Sequence, residues 1–424
     1  MKGRWSFWCG FVCLAFLIPL GATSADADVV TDWNTAALNA IRIDRTPPPR
    51  ASRSLAILHA SIYDAVNGIS RTNEIYFVES RVAASASKEA AASAAAHKVL
   101  ISLFPAGAGS FDSLHAAILA AIRNGPQRAT GITWGESVAE QILAWRANDN
   151  ADAIVGPPSG SGPGYWVPTP PAFAPYLLPQ WGYVAPFGMG SGPQFRPPGP
   201  PALDSAKWVT NYNEVKAFGA AVGSVRTAEQ SQIALFWADG AGSETPPGHW
   251  NHIGQQVGAA MGNTIEQNAR LFALLNIAMA DAAICAWDAK YIYDFWRPVT
   301  AIRAGETDGN PATASDPTWS SFIVTPPFPD YVSGHSTFSA AAATVLAMFY
   351  GTDNVRFTTG SDVLPGVFRS FFSFSAAADE AAISRVYGGI HFRFASEDGL
   401  ASGADIGAWT FAHFLQPKGN RSRK

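Results

Sequence analysis

The chain has 424 residues, 48% hydrophobic and 15% charged, an ordinary globular composition with material for a large core. Its formal net charge is −4, its sequence pI is about 6.1, and no block of like charge stands out. A nucleic-acid surface would show as a basic face or stripe, so that class is excluded and any bound anion must be gripped locally.

Residues 1–27 read as an export signal. Lys2 and Arg4 form a short basic region, Phe7 to Leu20 supply an apolar one, and Ala25 and Ala27 are small residues where a signal peptidase reads. Cleavage after Ala25, with Thr23 three residues back, fits nearly as well. About 15 apolar residues fall short of the ~20 that a spanning helix needs, so no stable membrane span is expected. The expected product is exported, periplasmic or secreted. Cys9 and Cys13 lie inside the signal, which leaves Cys285 alone in the mature chain. It sits in the apolar stretch 282–287, as a buried structural thiol rather than a nucleophile.

Strand signals are scarce and helical ones abundant, which predicts an all-α fold of two adjoining helical bundles. The first strong segment carries Leu55, Leu58, Ile62 and Val66 at helical spacing, followed by helices near 87–104, 112–124 and 133–147. Residues 28–155 thus form an N-terminal helical region. Residues 156–201 are dense in Pro and Gly with interspersed aromatics, and are expected to form an ordered loop shaping an entrance. In the remaining region, 202–415, Thr227 and Gln230 form a capping box for a helix to about Trp237. A long helix should run from Thr264 to Trp296, where Pro298 would stop it, with others at about 336–350, 376–388 and 398–414.

Three short segments carry the chemistry. In the first, Lys290 and Arg297 are seven apart, so a continuous helix would project both cations from one face amid aromatic residues. In the second, Phe328-Pro-Asp-Tyr-Val-Ser333-Gly334-His335 delivers Ser, Gly and His to the first turn of a helix. Free amides and the helix dipole make such an end an anion site, and an imidazole there can move protons. In the third, Arg385 and His391 are six apart, and an Arg fork suits a tetrahedral oxyanion. His249 and His252, near Asp239 and Glu244, lie in a Pro/Gly stretch without a third firm ligand and do not read as a metal site.

The order K-x6-R-P, S-G-H, S-R-x5-H resembles the superfamily of type-2 phosphatidic acid phosphatases (PAP2) and vanadium-dependent haloperoxidases. Phe236-Trp-Ala-Asp239-Gly, Thr245-Pro-Pro247, Arg270-Leu-Phe-Ala-Leu, Trp287, Phe295-Trp-Arg-Pro298 and Pro326-Pro-Phe-Pro329 look like the fungal-type vanadium chloroperoxidases. The resemblance is close over roughly 230–400.

The resemblance implies roles for particular residues. Lys290, Arg297 and Arg385 would neutralise vanadate or phosphate, with hydrogen bonds from Ser333 and the Gly334 backbone. His391 would be the vanadium ligand in a haloperoxidase or the nucleophile in a phosphatase, and His335 the general acid/base. Asp239 would pair with Arg385, while Trp287 and Phe328 would line the halide approach. Where the family carries an Asp four residues after the second His, this chain has Ala395, and Glu397 or Asp398 are the candidates to replace it. A phosphatase needs that carboxylate to activate its nucleophile, so its absence favours the other chemistry. The leading expectation is a vanadate-dependent haloperoxidase oxidising halide with hydrogen peroxide and passing it to an organic acceptor. The alternatives are an exported PAP2-type acid phosphatase acting on phosphomonoesters without a cofactor, and a non-catalytic oxyanion-binding relative. The halide and the oligomeric state stay open.

Overall fold

The computed structural model describes residues 28–156 and 158–419; the expected export signal lies outside them. Helix makes up 59% of the structure. Among the described residues the thirteen α-helices are α1 (Val29–Asp44), α2 (Pro48–Ser70), α3 (Lys88–Leu103), α4 (Ala108–Ala121), α5 (Pro126–Arg146), α6 (Ala206–Phe218), α7 (Ala228–Phe236), α8 (Thr245–Ala260), α9 (Ile265–Tyr293), α10 (Pro298–Ala304), α11 (Gly334–Tyr350), α12 (Phe374–Tyr387) and α13 (Arg393–His413). Strands β1 (Phe357–Gly360) and β2 (Phe368–Phe371) form one antiparallel hairpin.

Four of these helices, α1, α6, α8 and α10, escape the periodicity reading. Helix α1 opens on Asp28, whose carboxylate accepts from the Val30 and Thr31 amides, and it buries Trp33, Ala37, Leu38 and Ile41. Helix α6 is capped by Ser205. Helix α8 has Pro in its first turn, where the missing N–H would have no helical acceptor anyway. His249 and His252 therefore lie on a helix, not in a Pro/Gly loop.

Helix α9 is the spine of the molecule. Thr264 and Gln267 close a capping box at its start, and Leu271, Leu274, Leu275 and Ile277 are fully buried along it. It is long and apolar enough to cross a membrane, but 94% of that apolar window is buried inside the protein. The helix packs against α2 as well as against α11 and α13, so it joins the two groups of helices. It ends at Tyr293 because Asp294 adopts a left-handed conformation, φ 47°. Pro298 plays no part in stopping it.

Residues 158–201 dock on this spine. Trp166, Trp181 and Phe187 are buried, and among the described residues of the segment the helical pieces are short 3₁₀ turns. Asp281, buried on α9, accepts from the Phe187, Gly188 and Met189 amides at 2.7 Å each. The Trp166 amide donates to the Asp294 carbonyl and Leu177 pairs with Pro327, so the loop meets the end of α9 and the chain before α11.

Small residues let α13 approach α11 backbone to backbone. A Cβ at Gly399, Gly403 or Gly407 would stand 2.9, 2.3 or 2.7 Å from the carbonyls of Ser333, Thr337 and Ala341. The four-residue spacing keeps the three glycines on one face. Because α11 begins beside this seam, the seam positions Ser333, Gly334 and His335. Gly403→Val is therefore expected to destabilise the protein by about 1–3 kcal/mol through overpacking. Thermal unfolding measures this, and a wild-type melting temperature would refute the seam as a rigid contact.

Candidate active site

The three segments converge. Trp287, Phe328, Gly334, His335, Arg385, His391 and Asp239 all line one cleft of about 1250 Å³, counted to its open mouth. Lys290, Arg297 and Ser333 are fully buried behind its wall. Arg297 does not share a helix face with Lys290. It follows the break at Asp294 and caps α10, so the turn, not helical phase, brings both cations together.

Their bonding differs sharply. Lys290 Nζ donates to the carbonyls of Pro329, Asp330 and Val332, which commits all three of its protons. It also lies 4.9 Å from the Phe328 ring centre and 5.7 Å from that of Trp287. Arg297 donates from Nε to Phe328 O at 2.7 Å and from Nη1 to Ile390 O at 2.6 Å, with His391 Nε2 at 3.0 Å. Its Nη2 has no hydrogen-bond partner among the described residues. Arg385 donates to the Trp237 carbonyl, while its buried Nε is unpartnered among them.

Ser333 caps α11, and the first-turn amides that follow have no intrahelical acceptors. A Cβ at Gly334 would meet the Trp287 ring at 3.2 Å, so the close approach there suits glycine. His335 is half-buried, with Nε2 3.3 Å from the Ala238 carbonyl.

Burial and mutual repulsion act on every basic group. Burial first, then Arg297, pulls the Lys290 ammonium well below its usual range. Burial lowers Arg297 to about 10 and Arg385 to about 9. His335 and His391 fall well below ordinary imidazole, through burial and then through Arg385 and Arg297 respectively.

The carboxylates are not where the sequence placed them. Asp239 does not ion-pair with Arg385; its Oδ2 lies 3.2 Å from His249 Nδ1, and its Oδ1 has no hydrogen-bond partner among the described residues. Asp398 accepts from the Tyr331 hydroxyl at 2.7 Å, and Glu397 lines a separate cleft. Neither replaces the carboxylate absent at Ala395. That place is taken by Asp330, fully buried, whose Oδ1 lies 3.0 Å from His391 Nδ1 and 3.9 Å from Arg297 Nη1. The contact is off the hydrogen-bond axis, so it orients the ring electrostatically. Burial raises the Asp330 carboxyl to about 7 against the pull of Arg297 and Lys290. Because Arg297 Nη1 can only donate to His391 Nε2, that nitrogen carries the lone pair and the imidazole proton sits on Nδ1, facing Asp330. The only clue was the Asp inside Phe328–His335, two residues from a recognised position.

A multiply charged oxyanion fits this donor set. Three cations are buried together, two buried guanidinium nitrogens lack partners among the described residues, and helix amides open beside them. The three cations outnumber Asp330 and Asp239, the buried carboxylates near them, so a bound anion would supply the missing counter-charge.

The chain is similar to known proteins over most of its length. Residues 270–418 match the family model for the second helical-bundle domain of VCPO. The vanadium chloroperoxidase of Curvularia inaequalis is 26% identical across 85% of this chain and 78% of its own. The structure titled as the first bacterial vanadium-dependent iodoperoxidase superposes with a TM-score of 0.81 at 30% identity, covering 92% of this chain and 96% of that one. The chain belongs to the vanadium-dependent haloperoxidases. A holo-type bacterial vanadium-dependent chloroperoxidase, 17% identical with a TM-score of 0.69 over 87% of this chain, shares the haloperoxidase fold.

Within this family, Asp330 gives a direct test of how His391 is held. Outer-shell partners of a metal-binding imidazole are worth about 10- to 100-fold in affinity. Asp330→Ala is expected to weaken vanadate binding by that factor in calorimetric titration. Unchanged or tighter binding would mean that Asp330 acts only as a competing charge.

Proposed function

We propose that this protein is a vanadate-dependent haloperoxidase that oxidises halide with hydrogen peroxide. The observation that carries the reading is the buried cluster of Lys290, Arg297 and Arg385 around His391 at the base of a largely apolar cleft.

Bound vanadate would supply a Lewis acid that activates peroxide toward halide. Arg297 and Arg385 would direct their unpartnered nitrogens at its oxygens, with the Gly334 amide and Ser333 beside them. Lys290, its protons spent on carbonyls, would contribute charge from behind Phe328 and Trp287. His391 would present a neutral Nε2, because burial and the surrounding cations oppose a second proton. His335, also kept neutral, would accept and return the proton of peroxide. The balance is hydrogen peroxide, halide and a proton giving hypohalous acid and water.

The rest of the cleft suits an organic acceptor. Pro47, Leu177, Ile323, Pro326 and Phe338 make its walls apolar, with Arg45 on its lining. Transfer of halogen from hypohalous acid to a C–H nucleophile then releases water.

One observation favours PAP2-type phosphatase chemistry as a second reading. Asp330 supplies a carboxylate beside His391, so the loss at Ala395 no longer counts against a phosphohistidine route. The assay is halogenation by peroxide, across chloride, bromide and iodide, beside phosphomonoester hydrolysis on one vanadate-loaded preparation. Vanadate- and peroxide-dependent halogenation with weak hydrolysis is expected; brisk hydrolysis of the apo-protein without halogenation overturns the reading. Export is part of the proposal, and a mature N-terminus at Asp26 or Asp28 checks it.

A further inference from the structure

Helix α8 buries an imidazole behind the oxyanion cluster. His249 is 1% exposed, with Nδ1 3.2 Å from Asp239 Oδ2 and Nε2 3.1 Å from Thr359 Oγ1 on β1. Its ring stacks on Trp237 at 4.6 Å, and the Trp237 carbonyl accepts from Arg385. Asp239 holds a left-handed conformation, φ 41°, and lines the cleft with Arg385. Its Oδ1 and the Arg385 Nε are both buried and without hydrogen-bond partners among the described residues. Non-glycine residues keep such a conformation only where their surroundings over-determine it.

We propose that His249 is a positioning residue for the oxyanion site: by holding one oxygen of Asp239, it sets how strongly that carboxylate competes with a bound oxyanion for Arg385. The inference rests on the oxyanion reading of the site. A protonated His249 neutralises Asp239 and leaves the Arg385 charge to the oxyanion. A neutral His249 leaves Asp239 as a rival anion beside the same guanidinium. Asp239 favours the protonated form, and so do Glu244 at the start of α8 and Asp362 after β1. Arg42 of α1 pairs with both Glu244 and Asp362, and His252 lies one turn along α8. Against the opposing effect of burial, these acids raise His249 above ordinary imidazole. Its charge therefore persists to higher pH than that of an ordinary imidazole and is lost as pH rises further.

The test is calorimetric titration of the full mature apo-protein with inorganic vanadate and inorganic phosphate, from about pH 6 to about pH 9. Wild type is compared with His249→Gln, which keeps a donor but no charge, and His249→Phe, which keeps only a ring. All proteins meet the same anion, so its own titration cancels in the affinity ratios. At about pH 6 the wild type should bind about tenfold tighter than either variant, and the advantage should fade as pH rises. Variants that track wild type at every pH overturn the proposal. So does a purely structural outcome, in which Gln equals wild type and Phe is weaker by a constant factor. A wild type that binds neither anion overturns the oxyanion reading itself, and this inference with it.

Discussion

Replacing Arg385 with Met is expected to abolish vanadate binding while leaving the apo-protein as stable as wild type, or more so. Arg385 is 1% exposed, and among the described residues its guanidinium has one acceptor, the Trp237 carbonyl. Burial holds its pKa near 9. A cation whose folded pKa is depressed opposes folding at pH values below it, so at neutral pH the charge is kept at a cost. Met fills similar space without that charge. The substitution strands one carbonyl, worth about 1–3 kcal/mol, but removes a desolvation penalty of several kcal/mol. Vanadate binding loses charge-assisted hydrogen bonds worth about 1.5–3 kcal/mol each. Thermal unfolding with and without vanadate reads both effects, because a ligand that binds only the folded state raises the melting temperature. A wild-type vanadate shift in Arg385→Met, or a large fall in apo stability, would contradict the assignment.

Replacing His335 with Ala is expected to slow halogenation by about 10²- to 10⁴-fold, the range for a lost general acid–base group. Vanadate affinity should change only a few-fold, because His335 lies beside the cluster and touches the Ala238 carbonyl rather than Arg297 or His391. Burial first, and then Arg385, holds this imidazole well below its usual range. Wild-type turnover should therefore persist into acid below pH ~6.5, the ordinary histidine value, and fall only where His335 takes up a proton. Steady-state kinetics on both proteins at fixed vanadate occupancy checks the rate and its pH dependence. Turnover within a few-fold of wild type would remove His335 from the chemistry.

What could be read from the sequence followed its periodic and ordered signals. Helices α2, α3, α7 and α11 fall close to their expected positions, because apolar spacing and caps are local features. Helix α8 was missed because two prolines and a glycine read as loop, although proline is well suited to a first turn. The site's members were identified by their order, and all line or back one cleft. Their partners were not identifiable, since partnership depends on tertiary approach. Asp239 meets His249 because α8 is a helix, and Asp330 meets His391 because Arg297 and the chain before α11 fold back on residues 390–391. The break at Asp294 was equally hidden. A seven-residue spacing suggested one helix face, whereas a left-handed residue turns Arg297 inward.

On the proposed function, one buried cationic cluster binds vanadate at His391. A crystal structure of vanadate-soaked protein, with anomalous scattering recorded for vanadium, tests it most directly. A single strong anomalous peak is expected at His391 Nε2, with density for its oxygens toward Arg297, Arg385 and the Gly334 amide. A peak elsewhere, or none at saturating vanadate, would contradict it.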